Sequence, residues 1–170
     1  MSLDNCQQHD LTILISTCDA YHDVLSFFFF ALRDCWPDCP YSVVINTETN
    51  THSYPARVHN YRSAKVTDDW GDRMRSTLSS IDSEFVLMLY DDFILDAPVD
   101  NQRVQAALQF LKSQPNAVVA YLINTSLPLV SDNTDACFIA LKDKVDYRLN
   151  SAPGIWRKQA LIDYTSIGDT

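Results

Sequence analysis

Four short, unbroken apolar runs limit what this chain can fold into more than any other feature. They are Leu11 to Ser16 (LTILIS), Tyr41 to Asn46 (YSVVIN), Glu84 to Tyr90 (EFVLMLY) and Ala117 to Ile123 (AVVAYLI). A strand covered on both faces reads this way, whereas a strand with one wet face alternates. Helical spacing fills the gaps between them. Tyr21 to Asp34 is long enough for a helix and stops before Trp36-Pro37. Thr67-Asp68-Asp69 opens a second helix, with acids at its positive end and Trp70, Met74, Leu78 and Ile81 along one stripe. Pro98 and Asp100 open a third, carrying Val104, Ala107, Leu108 and Leu111.

Strands that alternate with helices predict an α/β fold, a three-layer sandwich around a mostly parallel central sheet with right-handed crossovers. Ala56 to Tyr61 and Ala136 to Leu141 read as weaker strands, Tyr147 to Trp156 as irregular chain, and Arg157 to Thr165 as a last helix. No repeat or linker interrupts residues 1–170, which read as one domain. Phe27 to Phe30 point around most of their helix, so the pattern predicts burial on several sides or a partner on the outer one.

Composition removes several function classes. The 3 glycines, Gly71, Gly154 and Gly168, stand apart, so neither GxGxxG nor GxxxxGK[ST] can be written. No GxSxG elbow is present, and no two histidines have HxxxH spacing. A balance of 13 Lys+Arg against 22 Asp+Glu, net −9, repels nucleic acid and acidic membrane surfaces. Five cysteines without a second close pair read as free thiols rather than a zinc site. The polar first ten residues and the short apolar runs predict neither a signal peptide nor a spanning helix. The expected location is cytoplasmic, with contact to the inner membrane face left to other segments or partners.

Ligands of open α/β sheets bind beyond the carboxyl ends of the strands. Three places qualify: Thr17 to Asp19, Asn46 to Glu48, and Asp91-Asp92. The last is the sharpest, because two carboxylates ~4 Å apart repel by about 4 kcal/mol at an effective dielectric near 20. A divalent cation, Mg²⁺ or Mn²⁺, would relieve that repulsion and bridge a diphosphate in an acidic protein. The alternative is an acidic turn or helix cap. Arg73 could supply a positive charge to a phosphate or form a surface pair with Asp69 or Asp72. Asp19 could contact a nucleoside or cap the helix that follows it. Trp70 reads as core before ligand platform. Arg148, Asn150, Arg157 and Lys158 form a late basic stretch, either a second anion contact or a solvated helix start.

The order of these segments resembles the GT-A fold glycosyltransferases. LTILIST followed by CDAY is similar to their opening strand and nucleotide-contacting turn. DDWGDRMRSTLSSI, EFVLMLYDDFIL and SAPGIWRKQAL resemble the bacterial polysaccharide and lipopolysaccharide glycosyltransferase-like group, which is family-2-like. The resemblance runs from about Leu11 to Ile162. It implies transfer of a sugar from a nucleotide-sugar donor to a hydroxyl of a glycan or lipid-linked acceptor. Carried over by position, Thr17, Asp19, Asn46, Arg73 and Asp91 would contact the nucleotide, and Asp92 with Asp91 would hold the metal. The motif here is Asp-Asp-Phe rather than Asp-x-Asp. The group's acidic base is expected shortly after Thr170, which leaves Asp169 as the late carboxylate for that role. Two other classes stay open: a binding or interaction module that does not turn over, and a metal-dependent phosphoryl-transfer domain.

Overall fold

Alternation along the first strand decides the layers. In β1 (Leu11–Ser16), Leu11, Ile13 and Ile15 join one buried cluster and Leu14 joins another, so each face of the strand meets its own helices. The computed structural model describes residues 10–49, 58–62, 69–130 and 137–165. Within them, β1 is followed by a 3₁₀ turn (Asp19–Tyr21), α1 (His22–Cys35), β2 (Ser42–Thr47), β3 (Val58–Arg62), α2 (Trp70–Ser80) and β4 (Phe85–Tyr90). Then come α3 (Asn101–Ser113), β5 (Val119–Tyr121), β6 (Gly154–Arg157) and α4 (Lys158–Tyr164).

These six strands form one sheet in the order β3-β2-β1-β4-β6-β5. The first four are mutually parallel, and β6 runs antiparallel to both of its neighbours. Leu25, Phe28 and Leu32 of α1 and Val104, Leu108 and Leu111 of α3 cover one face. Met74 and Leu78 of α2 and Leu161 of α4 cover the other. The expected three layers are present.

Acids cap two of the helix starts. Asp69 caps α2 by accepting from the Asp72 amide at 3.0 Å, and Asp100 caps α3 through the Gln102 and Arg103 amides. On α1, Phe28 is buried and Phe29 partly so, while Phe27 and Phe30 stay 70% and 59% exposed. The four phenylalanines therefore divide between core and open surface.

Three expectations need correction. Gly154 to Arg157, read as irregular chain and a helix start, is a strand that inserts between β4 and β5. The strand expected over Ala117 to Ile123 spans only Val119–Tyr121, because its partner β6 starts after Pro153 and ends where α4 begins. In place of a strand at Ala136 to Leu141, the described residues 137–141 contribute one bridge, Leu129 to Leu141. Thr67 and Asp68 lie outside the described residues.

Gly154 is required by packing. A Cβ there would stand 3.0 Å from Val119 Cγ2 and 3.1 Å from Tyr121 Cδ1. Tyr121 cannot easily give way. Its phenol donates to the Arg148 carbonyl at 3.1 Å and accepts from the Asn150 amide at 3.0 Å. Gly154→Ala is expected to destabilise the fold by about 1–3 kcal/mol, the usual cost of overpacking, read as a lower urea midpoint at unchanged slope.

The late basic stretch is spent on structure. Arg157 donates to the carbonyls of Ala117 and Gln114 at 3.0 and 3.3 Å, also to that of Leu111, and pairs with Glu84 at 3.0 Å. It thereby satisfies carbonyls around the end of α3.

Candidate functional site

The strand order reverses its direction of growth between β1 and β4: β2 and β3 lie on one side of β1, while β4 lies on the other. Such a switch point opens a crevice at the carboxyl ends of the two strands. The register ends with Ser16 opposite Tyr90, so Thr17 and Asp91 are the first residues beyond the paired strands. Both are buried, at 8% and 7% exposure, and the Thr17 hydroxyl donates to Asp91 Oδ2.

Asp92 follows on an exposed turn held by the Phe93 amide on the Tyr90 carbonyl at 3.1 Å. The two carboxylates thus part company, one buried against a hydroxyl and the other facing solvent. Tyr90 lies edge-on to Phe93 with 5.5 Å between ring centroids. Burial, and then the negative charge of Asp92, push its phenol above the ordinary 10.0.

A second polar group joins the ends of β1 and β2. Asp19 Oδ1 accepts from the Thr47 hydroxyl at 3.1 Å, and both its oxygens lie 3.2 Å from the Thr49 amide, whose hydroxyl also donates to Oδ2. The Asp19 amide donates to Glu48 Oε2 at 3.0 Å. The carboxylate therefore turns toward β2, and the start of α1 receives no side-chain cap. Arg73, one turn into α2, lies 3.8 Å from Glu48 Oε1 with its side chain only 10% exposed. It is an inner residue, not the surface partner of Asp69 or Asp72. Trp70 is part-buried and donates from Nε1 to the Ser16 hydroxyl at 3.0 Å, which brings the head of α2 over the end of β1.

Asn46 departs most from its expected place. It is fully buried, its Nδ2 faces Met74 Sδ at 3.0 Å, and its Oδ1 accepts from Thr77 at 3.2 Å. Its amide meets α2 rather than the open end of the sheet. Glu48, to which only strand-end position pointed, joins the site, and so does Thr49, which no sequence signal marked. Asp169 lies outside the described residues.

The donor chemistry suits a hard cation. Mg²⁺ commonly takes one or two carboxylates and completes its shell with water and phosphate oxygens. Asp92 is exposed and could supply such a carboxylate, with Asp91 beside it in sequence. Among the described residues, no group of three or more His, Cys, Asp or Glu side chains is gathered in metal-holding geometry.

Neither a protein-family profile nor a curated protein sequence matches the chain. Solved structures do. Staphylococcus aureus TarS 1–349 superposes with a TM-score of 0.50 at 14% identity, covering 90% of this chain and 48% of that one. The bifunctional IspDF of Campylobacter jejuni gives 0.53 at 12%, covering 95% and 45%. CMP:2-keto-3-deoxy-manno-octonic acid synthetase, solved with CTP, gives 0.51 at 13%, covering 94% and 79%. The chain thus spans about half the length of TarS 1–349. At these identities the likeness is one of fold. The fold is a mixed α/β one, a six-stranded, mostly parallel sheet flanked by helices, shared with these structures. No helix among the described residues is long and apolar enough to cross a membrane.

The raised phenols carry a prediction. Tyr41 and Tyr121, like Tyr90, are pushed above 10.0 mainly by burial. Above pH 10 the unfolded chain releases these protons while the folded chain keeps them. The unfolded state then binds fewer protons, so stability is complete below pH 10 and falls as pH rises beyond it. Urea midpoints measured from pH 8 to 11 are expected to fall less steeply for Tyr90→Phe than for the unsubstituted protein.

Proposed function

We propose that this chain binds a nucleotide-sugar at the carboxyl ends of β1, β2 and β4 and transfers the sugar to a hydroxyl acceptor in bacterial cell-surface glycan synthesis. The observation that carries the reading is the buried Thr17–Asp91 pair at the switch point, with the Asp19 and Glu48 group beside it. That a TarS structure of this fold type was solved with UDP-GlcNAc supports a donor of that class.

On this reading Thr17, Asp19 and Asp91 hold the nucleoside end of the donor. Asp92, with Asp91, holds Mg²⁺ or Mn²⁺. Such a cation would supply positive charge to the diphosphate leaving group. Arg73 lends positive charge to the same anion from the first turns of α2. The bond from the anomeric carbon to the diphosphate breaks, and a bond from that carbon to the acceptor oxygen forms. The acceptor's proton passes to a carboxylate, for which Asp169 is the candidate in this sequence. A glycan or lipid-linked hydroxyl is the proposed acceptor, and the proposed location is the cytoplasmic side of the membrane.

Calorimetry with UDP, with and without Mn²⁺, tests the donor site. Binding strengthened by Mn²⁺ is expected, and Asp92→Ala is expected to abolish the metal's effect. A folded sample that binds no nucleoside diphosphate would overturn the proposal. The exposed Phe27 and Phe30 favour a second reading, an interaction module that binds the donor without turnover. Release of free UDP from a UDP-sugar by the chain would exclude it.

A further inference from the structure

The Asn46 carbonyl accepts the Thr17 amide at 3.1 Å, whereas its side chain turns to α2, and a fully buried side-chain amide at the end of a strand must have its polar atoms satisfied or cost stability. Its partners are specific. Nδ2 meets Met74 and Oδ1 meets Thr77, the residues one and four positions after Arg73 on α2. The Thr77 hydroxyl also lies 2.8 Å from the Arg73 carbonyl, so the contact is made on the turn of helix that carries Arg73. Arg73 then reaches back to Glu48, two residues beyond Asn46 on the same strand end. Glu48 in turn accepts the Asp19 amide.

The path is a closed ring. It leaves β2 at Asn46, passes through α2, and returns at Glu48, just past the end of β2. A ring of this kind fixes the height and rotation of α2 relative to the strand end, which a purely apolar contact does loosely. Parity along the strand supports it: Val44 packs with the α2 cluster, and Asn46, two residues on, faces the same way.

We infer that Asn46 is a positioning residue: its buried amide sets α2 against β2 so that Arg73 holds Glu48, and Glu48 holds the Asp19 turn in its donor-binding form. The functional half of this statement rests on the proposed nucleotide-sugar site. The mechanical half does not.

Two measurements on the whole chain separate them, both made well below the unfolding transition. Asn46→Leu keeps the number of side-chain heavy atoms and removes both hydrogen-bonding groups. Exchange of the Asp19 amide hydrogen, followed by NMR, is expected to quicken at least ~10-fold, with the Ile13 and Leu14 amides retaining their protection. Glu48→Leu is expected to do the same, and the double variant to exchange no faster than Glu48→Leu, because the two act through one path. UDP affinity with Mn²⁺ is expected to fall at least ~10-fold in Asn46→Leu. Thr77→Val breaks the same link from the helix side and stands in if Asn46→Leu does not fold.

Asp19 exchange at the original rate in a folded Asn46→Leu or Thr77→Val would overturn the positioning role. So would additive effects in the double variant. Quickened exchange with unchanged UDP affinity would overturn its link to the donor. An unsubstituted protein that binds no UDP would remove the donor reading, leaving the exchange rates to decide the ring by themselves.

Discussion

Asp91→Asn is expected to weaken binding of UDP with Mn²⁺ by about 100-fold, a loss of about 2.7 kcal/mol, while the fold stays intact. Asparagine keeps the shape of the side chain and an oxygen for the Thr17 hydroxyl, so the contact across β1 and β4 survives. The negative charge goes, and with it the attraction for a cation or a donor hydroxyl. Calorimetry gives the affinity, and an unchanged urea midpoint verifies that the fold is retained. Affinity within about threefold of the unsubstituted protein would remove Asp91 from the donor site. Asp91→Ala is a poorer probe, because it also leaves the buried Thr17 hydroxyl to the longer contact with the Cys18 carbonyl at 3.3 Å.

Phe85→Ala should give the largest loss of stability, about 3–5 kcal/mol. Phe85 is fully buried at the start of β4, opposite Leu11 on one side and Arg157 on the other. The Arg157 guanidinium carbon lies 5.2 Å from the ring centroid, so the ring also supports the arginine that holds the end of α3. Domains of this kind are stable by only about 5–15 kcal/mol, so the loss is a large share of the total. Phe27→Ala, at a 70% exposed position, should change stability by less than about 0.5 kcal/mol. Urea unfolding of the two variants reads the contrast. Equal losses would mean that α1 does not leave Phe27 exposed in solution.

How much of this was legible in the sequence depended on burial. β1, β2 and β4 are covered on both faces, and their apolar runs announce it. β6 gave no such sign. It has four residues, follows Pro153, and begins with a glycine chosen by the side chains of Val119 and Tyr121. A contact between strands distant in sequence leaves no local periodicity. At the site, position at a strand end found Thr17, Asp19 and Asp91, which the fold does bring to its carboxyl edge. The same rule also picked Asn46, whose side chain turns to α2, because strand position does not say which face a helix will cover. For Arg73 the sequence left a phosphate contact and a surface pair with Asp69 or Asp72 both open, because Glu48, with which it pairs, sits on another strand end, 25 residues away in the chain (73 − 48).

The position of β6 bears on how the protein can be made. β4 carries the candidate site at its end, yet one of its two flanking strands is synthesised only after α3 and β5. Until residues 154–157 leave the ribosome, the far side of an almost wholly apolar strand lacks its native partner. Exposed strand edges of this sort recruit other chains. A shortened version that stops before Gly154 would contain Thr17, Asp19, Arg73, Asp91 and Asp92 and would still be a poor sample of the donor site. It should aggregate on expression or depend on a chaperone, whereas chains ending after α4 should not.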